Sequence, residues 1–208
     1  MNGNDSVNRT GGMRGRVLSV GSSFRNQAII LGGFVALIWL LEIIDRLFLG
    51  SAMNGLGVQP RTLVGLRGII FMPFLHGGFA HVLANTIPFI VLGWLVMLNG
   101  ISDFLVISAI IIVVSGLGAW LFGAANSVHI GASGLVFGFF GFLVTRAYFD
   151  RSLTSIILAM LVIVFYGGLM LGILPLSLGV SWQAHLFGFA GGVLAAYVIT
   201  RRNRAAQT

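Results

Sequence analysis

Four polar residues stand out in a chain dominated by apolar side chains: His81, Asn85, Ser133 and His185. Ser133 lies in Gly131-Ala132-Ser133-Gly134, and His185 is followed by Gly188 and Gly192. That spacing puts the imidazole and both glycines on one helix face. Gly134 and Gly138 form a small-xxx-small face of the kind that lets a second helix approach closely. Two helices packed through such faces would bring Ser133 Oγ to a nitrogen of His185, the geometry of a nucleophile and its general base. His81 and Asn85 stand at i and i+4, on one side of a helix. With the backbone N–H of Ser133 they supply the donor types that a developing oxyanion requires. Phe137, one turn beyond Ser133, is placed to pack on the imidazole and hold its orientation.

Each residue taken singly also has a structural reading of similar weight. A serine in a membrane helix commonly bonds its own backbone, and Ser108, Ser115 and Ser155 are expected to do so. A lone histidine can simply join two helices, and His81 with Asn85 can be a helix cap or an interfacial anchor. His76, in His76-Gly77-Gly78, reads as loop-structuring, and His129 as structural rather than catalytic. The balance tips because ionisable residues inside membranes are rare and usually functional, and here they co-occur.

The acidic residues are Asp5, Glu42, Asp45, Asp103 and Asp150. None sits on a helix carrying the candidate site, so a Ser-His dyad is expected rather than a triad. Their scarcity also argues against carboxylate-bound metal and acidic proton relays. The chain has no cysteine, which removes disulfides and thiolate metal sites. No cofactor and no metal are expected.

The elements that must position these residues follow from composition. The 208 residues are 57% hydrophobic and 8% charged, where a soluble domain carries about a quarter charged residues. The apolar residues come in long runs, the mark of a polytopic membrane protein. Six spans are expected, at Ala28–Leu49, Phe79–Leu98, Phe104–Phe122, Ile130–Tyr148, Leu153–Leu174 and Trp182–Thr200. An apolar piece, Gly68–Leu75, is too short to cross a core needing about 20 residues and is expected to be interfacial or re-entrant. In lipid the spans must be helices, because every backbone amide needs a partner within its own segment. The expected organisation is a flexible polar tail (1–26), a six-helix membrane domain (27–201) and a short basic tail (202–208). The first 25 residues lack an early apolar core, so no cleavable signal peptide is expected.

All twelve basic residues are arginine and lie at the ends of apolar runs or in the tails. The net charge of +7 therefore reads as a topology signal, and no nucleic-acid partner is expected. Nine arginines against three place both termini in the cytoplasm by the positive-inside rule. His81, Ser133 and His185 then all fall near the outward ends of the second, fourth and sixth spans.

In order, His81-Val-Leu-Ala-Asn85, Gly131-Ala-Ser133-Gly134 and Ala184-His185 with Gly188 and Gly192 resemble the rhomboid family of intramembrane serine proteases, over about Ala28–Thr200. The resemblance implies a six-helix all-α bundle in which Ser133 is the nucleophile and His185 the general base, then the general acid. It implies an oxyanion hole from His81, Asn85 and the Ser133 amide, and transmembrane-helix proteins as substrates. It implies that Gly50–Leu75 is the family's membrane-embedded first loop and that the fifth span with Pro175–Ser181 gates access. Many members carry a Trp-Arg pair in the first loop, where this chain has Pro60-Arg61 and Leu66-Arg67. The acidic and basic residues that many have at the inner end of the second helix are replaced, with Met97 and Asn99 nearby, and Phe137 stands where several have tyrosine. The expected location is a bacterial inner (cell) membrane, with the site opening to the extracytoplasmic face. The alternatives are a catalytically inactive relative that binds transmembrane helices, and a small membrane transporter.

Overall fold

The structure, a computed structural model, describes residues 6–176 and 179–205, with side chains described from residue 24 onward. Most of the expected N-terminal tail and the end of the C-terminal one therefore lie outside what is described in full. The helices are α1 (Ser6–Phe48), α2 (Gly68–Phe71), α3 (Phe79–Met97), α4 (Ile101–Phe122), α5 (Ser133–Asp150), α6 (Leu153–Tyr166) and α7 (Trp182–Ala205). α6 runs on as a tighter 3-10 stretch, Gly167–Ile173.

Five segments are long and apolar enough to cross a membrane: Phe24–Phe48, Phe79–Met97, Ile101–Phe122, Leu153–Ile173 and Trp182–Ala205. These match five of the expected spans to within a few residues. The expected fourth span is α5, which begins at Ser133 rather than Ile130 and ends in Arg146 and Asp150. It is the enclosed helix, with every residue from Gly134 to Leu143 buried. A helix walled in by other helices meets side chains instead of lipid, so its length need not be uniformly apolar. The core around it is largely aromatic and aliphatic, with Phe89, Phe139, Phe142, Leu92, Ile107 and Ile111 all fully buried.

Glycine sets the closest approach. A Cβ placed on Gly188 would lie 2.3 Å from Gly134 O, and one on Gly192 would lie 2.0 Å from Gly138 O. The α7 glycines thus rest on the α5 backbone itself. Gly134 and Gly138, by contrast, turn their open faces to α4, where a Cβ would meet Ser115 Oγ at 2.4 Å and Ile111 Cγ2 at 2.3 Å.

That arrangement corrects the reading of the helix serines. The space over Gly134 lets Ser115 Oγ donate across to Ala184 O of α7, at 2.8 Å, so it ties two helices rather than its own turn. Ser155 Oγ donates to Asp150 Oδ2 at 2.6 Å and accepts from Ser152, because α6 starts directly after the acidic end of α5. Ser108 Oγ is buried with no hydrogen-bond partner among the described residues.

The first loop is broken into short turns, Ala52–Leu56, Val64–Arg67, α2 and Met72–Phe74. None is long enough to cross a membrane. The loop is stitched to the bundle by its backbone. Val58 and His129 exchange both hydrogen bonds, at 3.0 and 2.9 Å, and Gly131 N donates to Met72 O at 2.9 Å. Arg61 Nη1 donates to the carbonyls of Leu121 and Gly123, at 3.0 and 2.8 Å. Those carbonyls end α4, where a cation complements both the orphan acceptors and the helix dipole. The indole of this region comes from α4, with Trp120 Nε1 donating to Thr62 O at 2.8 Å. At the opposite end of the bundle, Arg202 pairs with Asp103, and Arg146 with Asp150.

Candidate active site

Ser133 opens α5, where the first backbone N–H groups of a helix have no intrahelical acceptor. The chain reaches it through Gly131, whose φ of +118° is one that L side chains rarely adopt. A Cβ there would lie 2.7 Å from His81 Nε2 and 3.6 Å from Ser133 Oγ. One small space is therefore flanked by both groups.

His185 lies in the first turn of α7, and its Nε2 is 2.8 Å from Ser133 Oγ. Its Nδ1 is 2.8 Å from Gly172 O. A carbonyl can only accept, so Nδ1 carries the proton and Nε2 is left to accept from the serine hydroxyl. This is the neutral tautomer a general base needs. Phe137 stacks on the ring with centroids 4.0 Å apart and planes 8° from parallel. Both ring nitrogens are thus taken, and neither by a carboxylate. The two acids nearest this end of the molecule are buried elsewhere: Glu42 pairs with Arg46, and Asp45 accepts from Met53 N.

Gly77 N donates to His81 Nδ1 at 3.3 Å. By the same reasoning His81 Nε2 carries its proton and faces the space beside Ser133. Asn85 is buried, and its Nδ2 donates to His81 O at 3.1 Å. An amide nitrogen has two hydrogens, which leaves one for the cavity that Asn85 lines.

His81, Asn85, Ser133 and His185 all line one cavity of about 940 Å³, which Trp182 and Pro175 also border. Gly134, Gly188 and Gly192 do not reach it: the two α7 glycines act through the α5–α7 approach, and Gly134 by leaving room for Ser115 of α4. Among the described residues no group of three His, Cys, Asp or Glu is placed to hold a metal ion.

Two histidines do more than the sequence suggested. His76 is almost completely buried and its Nε2 accepts from Ala132 N, at 3.3 Å, directly before Ser133. Burial, with a smaller contribution from His81 nearby, pushes its pKa down to about 4. His129 bonds Ser127 and Ser181 through its two ring nitrogens. The residue that sequence reasoning missed is Gly172. It acts through a backbone carbonyl, which every residue type carries, so no side-chain signal marks it.

Fold and site together define a polytopic membrane protein in which a serine and a histidine are hydrogen-bonded at helix starts, inside a cavity at one end of the bundle. A family profile described as Rhomboid domain matches residues 65–202. The chain belongs to the rhomboid family. It is 44% identical over 182 residues to an uncharacterized protein of Mycobacterium tuberculosis, an alignment covering 84% of this chain and 75% of that one. RHOMBOID-like protein 4 of Arabidopsis thaliana is 30% identical over 160 residues, 73% of this chain and 39% of its own length. The putative rhomboid protease YdcA of Bacillus subtilis is 28% identical over 129 residues, 62% of this chain and 64% of its own.

Proposed function

We propose that the protein is an intramembrane serine endopeptidase that cleaves peptide bonds in or near transmembrane helices. The observation that carries this reading is the 2.8 Å contact between Ser133 Oγ and a His185 Nε2 left unprotonated by the Gly172 carbonyl.

The chemistry follows from those atoms. Ser133 gives its hydroxyl proton to His185 Nε2 as Oγ attacks the scissile carbonyl carbon. The oxyanion that forms is met by the Ser133 N–H, His81 Nε2–H and Asn85 Nδ2–H. The imidazolium returns its proton to the leaving amine, and an ester on Ser133 remains. Water then enters by the same route in reverse, giving a proton to His185 and releasing the acid and Ser133. Through both steps the His185 Nδ1–H stays on a neutral carbonyl, which orients the imidazolium but offsets its charge less than a carboxylate would.

A substrate helix hides its amides in its own hydrogen bonds, and each one exposed in lipid costs several kcal/mol. A cavity with polar walls lets water take over those bonds, so helices with weak segments are the favoured substrates. By the arginine asymmetry the cavity faces the extracytoplasmic side of a bacterial cell membrane, with both termini inside.

The test is covalent labelling with a fluorophosphonate and cleavage of a model transmembrane substrate by the purified protein. Both should be lost in Ser133→Ala. Full cleavage by that variant would overturn the reading.

A further inference from the structure

A second Ser–His pair lies alongside the first, with the roles of the two chain segments exchanged. His129 precedes Ser133 by four residues, and Ser181 precedes His185 by four. His129 Nδ1 and Ser181 Oγ are 2.5 Å apart, and His129 Nε2 lies 3.0 Å from Ser127 Oγ. The direction of these bonds is fixed. Ser127 Oγ donates its single hydrogen to Ala124 O, at 2.7 Å, so it accepts from His129 Nε2–H. His129 Nδ1 is then the acceptor for the Ser181 hydroxyl.

His129 is held on every side. Its backbone is paired with Val58 in both directions. Its ring leans on Gly123, where a Cβ would lie 2.3 Å from Nε2. Burial keeps its pKa below the ordinary imidazole value, so the ring stays neutral and Nδ1 remains an acceptor. Ser181, at the other end of the bond, is the residue before α7. Its carbonyl accepts His185 N at 3.1 Å. A serine there would ordinarily cap its own helix; here the hydroxyl reaches across to the loop that leads into α5.

The glycines of the α5–α7 contact fix how close the two helices lie. Their register along the axis rests on side chains at the seam, Phe140 against Phe189 and Ser115 on Ala184 O, and on the bond from Ser181 to His129 just before α7 begins. A slide of about 1 Å would carry a 2.8 Å contact outside the range of a good O–H···N bond.

We infer that His129 and Ser181 form a positioning clamp that sets the register of α7 on α5 and thereby the Ser133–His185 contact. The inference rests on the dyad reading above. His129 and Ser181 both line the cavity, so the clamp sits where the substrate is processed.

The test uses the full-length protein in detergent and in vesicles, reading fluorophosphonate labelling rate, kcat and KM. Ser181→Ala should lower kcat and the labelling rate by about tenfold with KM unchanged. Ser181→Thr, which keeps the hydroxyl, should restore both. His129→Ala should cost about 10²-fold, as a misplacement near 1 Å does, and adding Ser181→Ala to it should cost nothing more. A purely structural role would lower folded yield and spare the kcat of the folded fraction. If His129→Ala does not fold, the Ser181→Ala and Ser181→Thr pair decides alone. Wild-type rates in Ser181→Ala, with Ser133→Ala inactive, would overturn the clamp and leave the dyad standing. Cleavage by Ser133→Ala would overturn the dyad instead. Labelling of Ser133→Ala that Ser181→Ala abolishes would make Ser181 a nucleophile and end the clamp.

Discussion

α6 and α7 both border the dyad, yet they are held in opposite ways. In α7 56% of the apolar stretch is buried inside the protein, against 11% for that of Leu153–Ile173, which is α6 and its 3-10 continuation. α7 lies backbone to backbone on α5 through Gly188 and Gly192, and Ser115 ties it to α4. The α6 arm leaves Val164 and Phe165 largely exposed, a face suited to lipid. The loosely attached arm nevertheless supplies Gly172 O, the acceptor that fixes the His185 tautomer. Where His185 stands is decided by the tight seam together with the His129–Ser181 bond before it; which nitrogen carries its proton is decided by the loose arm. A movement of the arm can therefore change the protonation of His185 without moving it away from Ser133.

The largest effect tests the seam's product. Ser133→Ala should reduce turnover to background, a loss on the order of 10⁶ when the nucleophile of a coupled unit is removed, measured on a model substrate at saturating concentration. The second strikes the seam itself. In Gly192→Ala the new methyl would sit 2.0 Å from Gly138 O and 2.7 Å from Phe142 N. Backbone atoms cannot turn aside, so the helices must part. Thermal unfolding in detergent should show a loss of about 1–3 kcal/mol, and kcat should fall by about 10²-fold as the dyad separates. Unchanged turnover in a destabilised but folded Gly192→Ala would detach the seam from the chemistry.

The seam was legible in the sequence and the arm was not, for a physical reason. Residue types at helical spacing mark Ser133, His185 and the α7 glycines, because their chemistry depends on the side chain or on its absence. Phe137 could be placed on the imidazole for the same reason. Gly172 contributes only a carbonyl, so nothing in its identity announces it. Ser115 read as self-bonded because a one-dimensional sequence does not show that Gly134 opens a space beside it. His129 was weighed as structural from its place in a loop, and one of its two serine partners, Ser181, lies 52 residues away on a segment that only the fold brings near. Span length alone could not distinguish the enclosed α5 from its neighbours.

A smaller effect should come from the arm. A Cβ on Gly172 would lie 2.7 Å from Phe137 Cζ and 3.4 Å from His185 Nδ1. Because few contacts hold the arm, it is the part that gives way in Gly172→Ala, and its carbonyl withdraws from Nδ1. The His185 tautomer is then less strongly biased. The expected result is a fall in kcat and in fluorophosphonate labelling of about tenfold, roughly 1.4 kcal/mol in the barrier. Stability should fall by about 1 kcal/mol, because Gly172 is half-buried and the arm must shift to clear Phe137. A wild-type labelling rate would show that the seam governs orientation as well as position.

The smallest effect at neutral pH, and a growing one in acid, belongs to the turn that carries Ser133. His76 has a pKa of about 4 where an unhindered imidazole has 6.5. The folded protein thus refuses a proton that an unfolded chain accepts. Stability from this group is fully present above about 6.5, falls as pH drops from there toward about 4, and is level again below both values. The whole span corresponds to about 3 kcal/mol. Its cause is burial, with a smaller contribution from His81; once protonated, Nε2 also can no longer accept from Ala132 N and would present a second donor to it. Between pH 7 and 8 the unfolding temperature should be flat. From 6.5 downward it should decline, and in His76→Gln, whose amide does not titrate, this part of the decline should vanish. Burial lowers the pKa of His129 as well, so a shallower decline should persist in that variant. Identical pH profiles for the two proteins would mean that the Ala132–Ser133 turn is held by the seam alone.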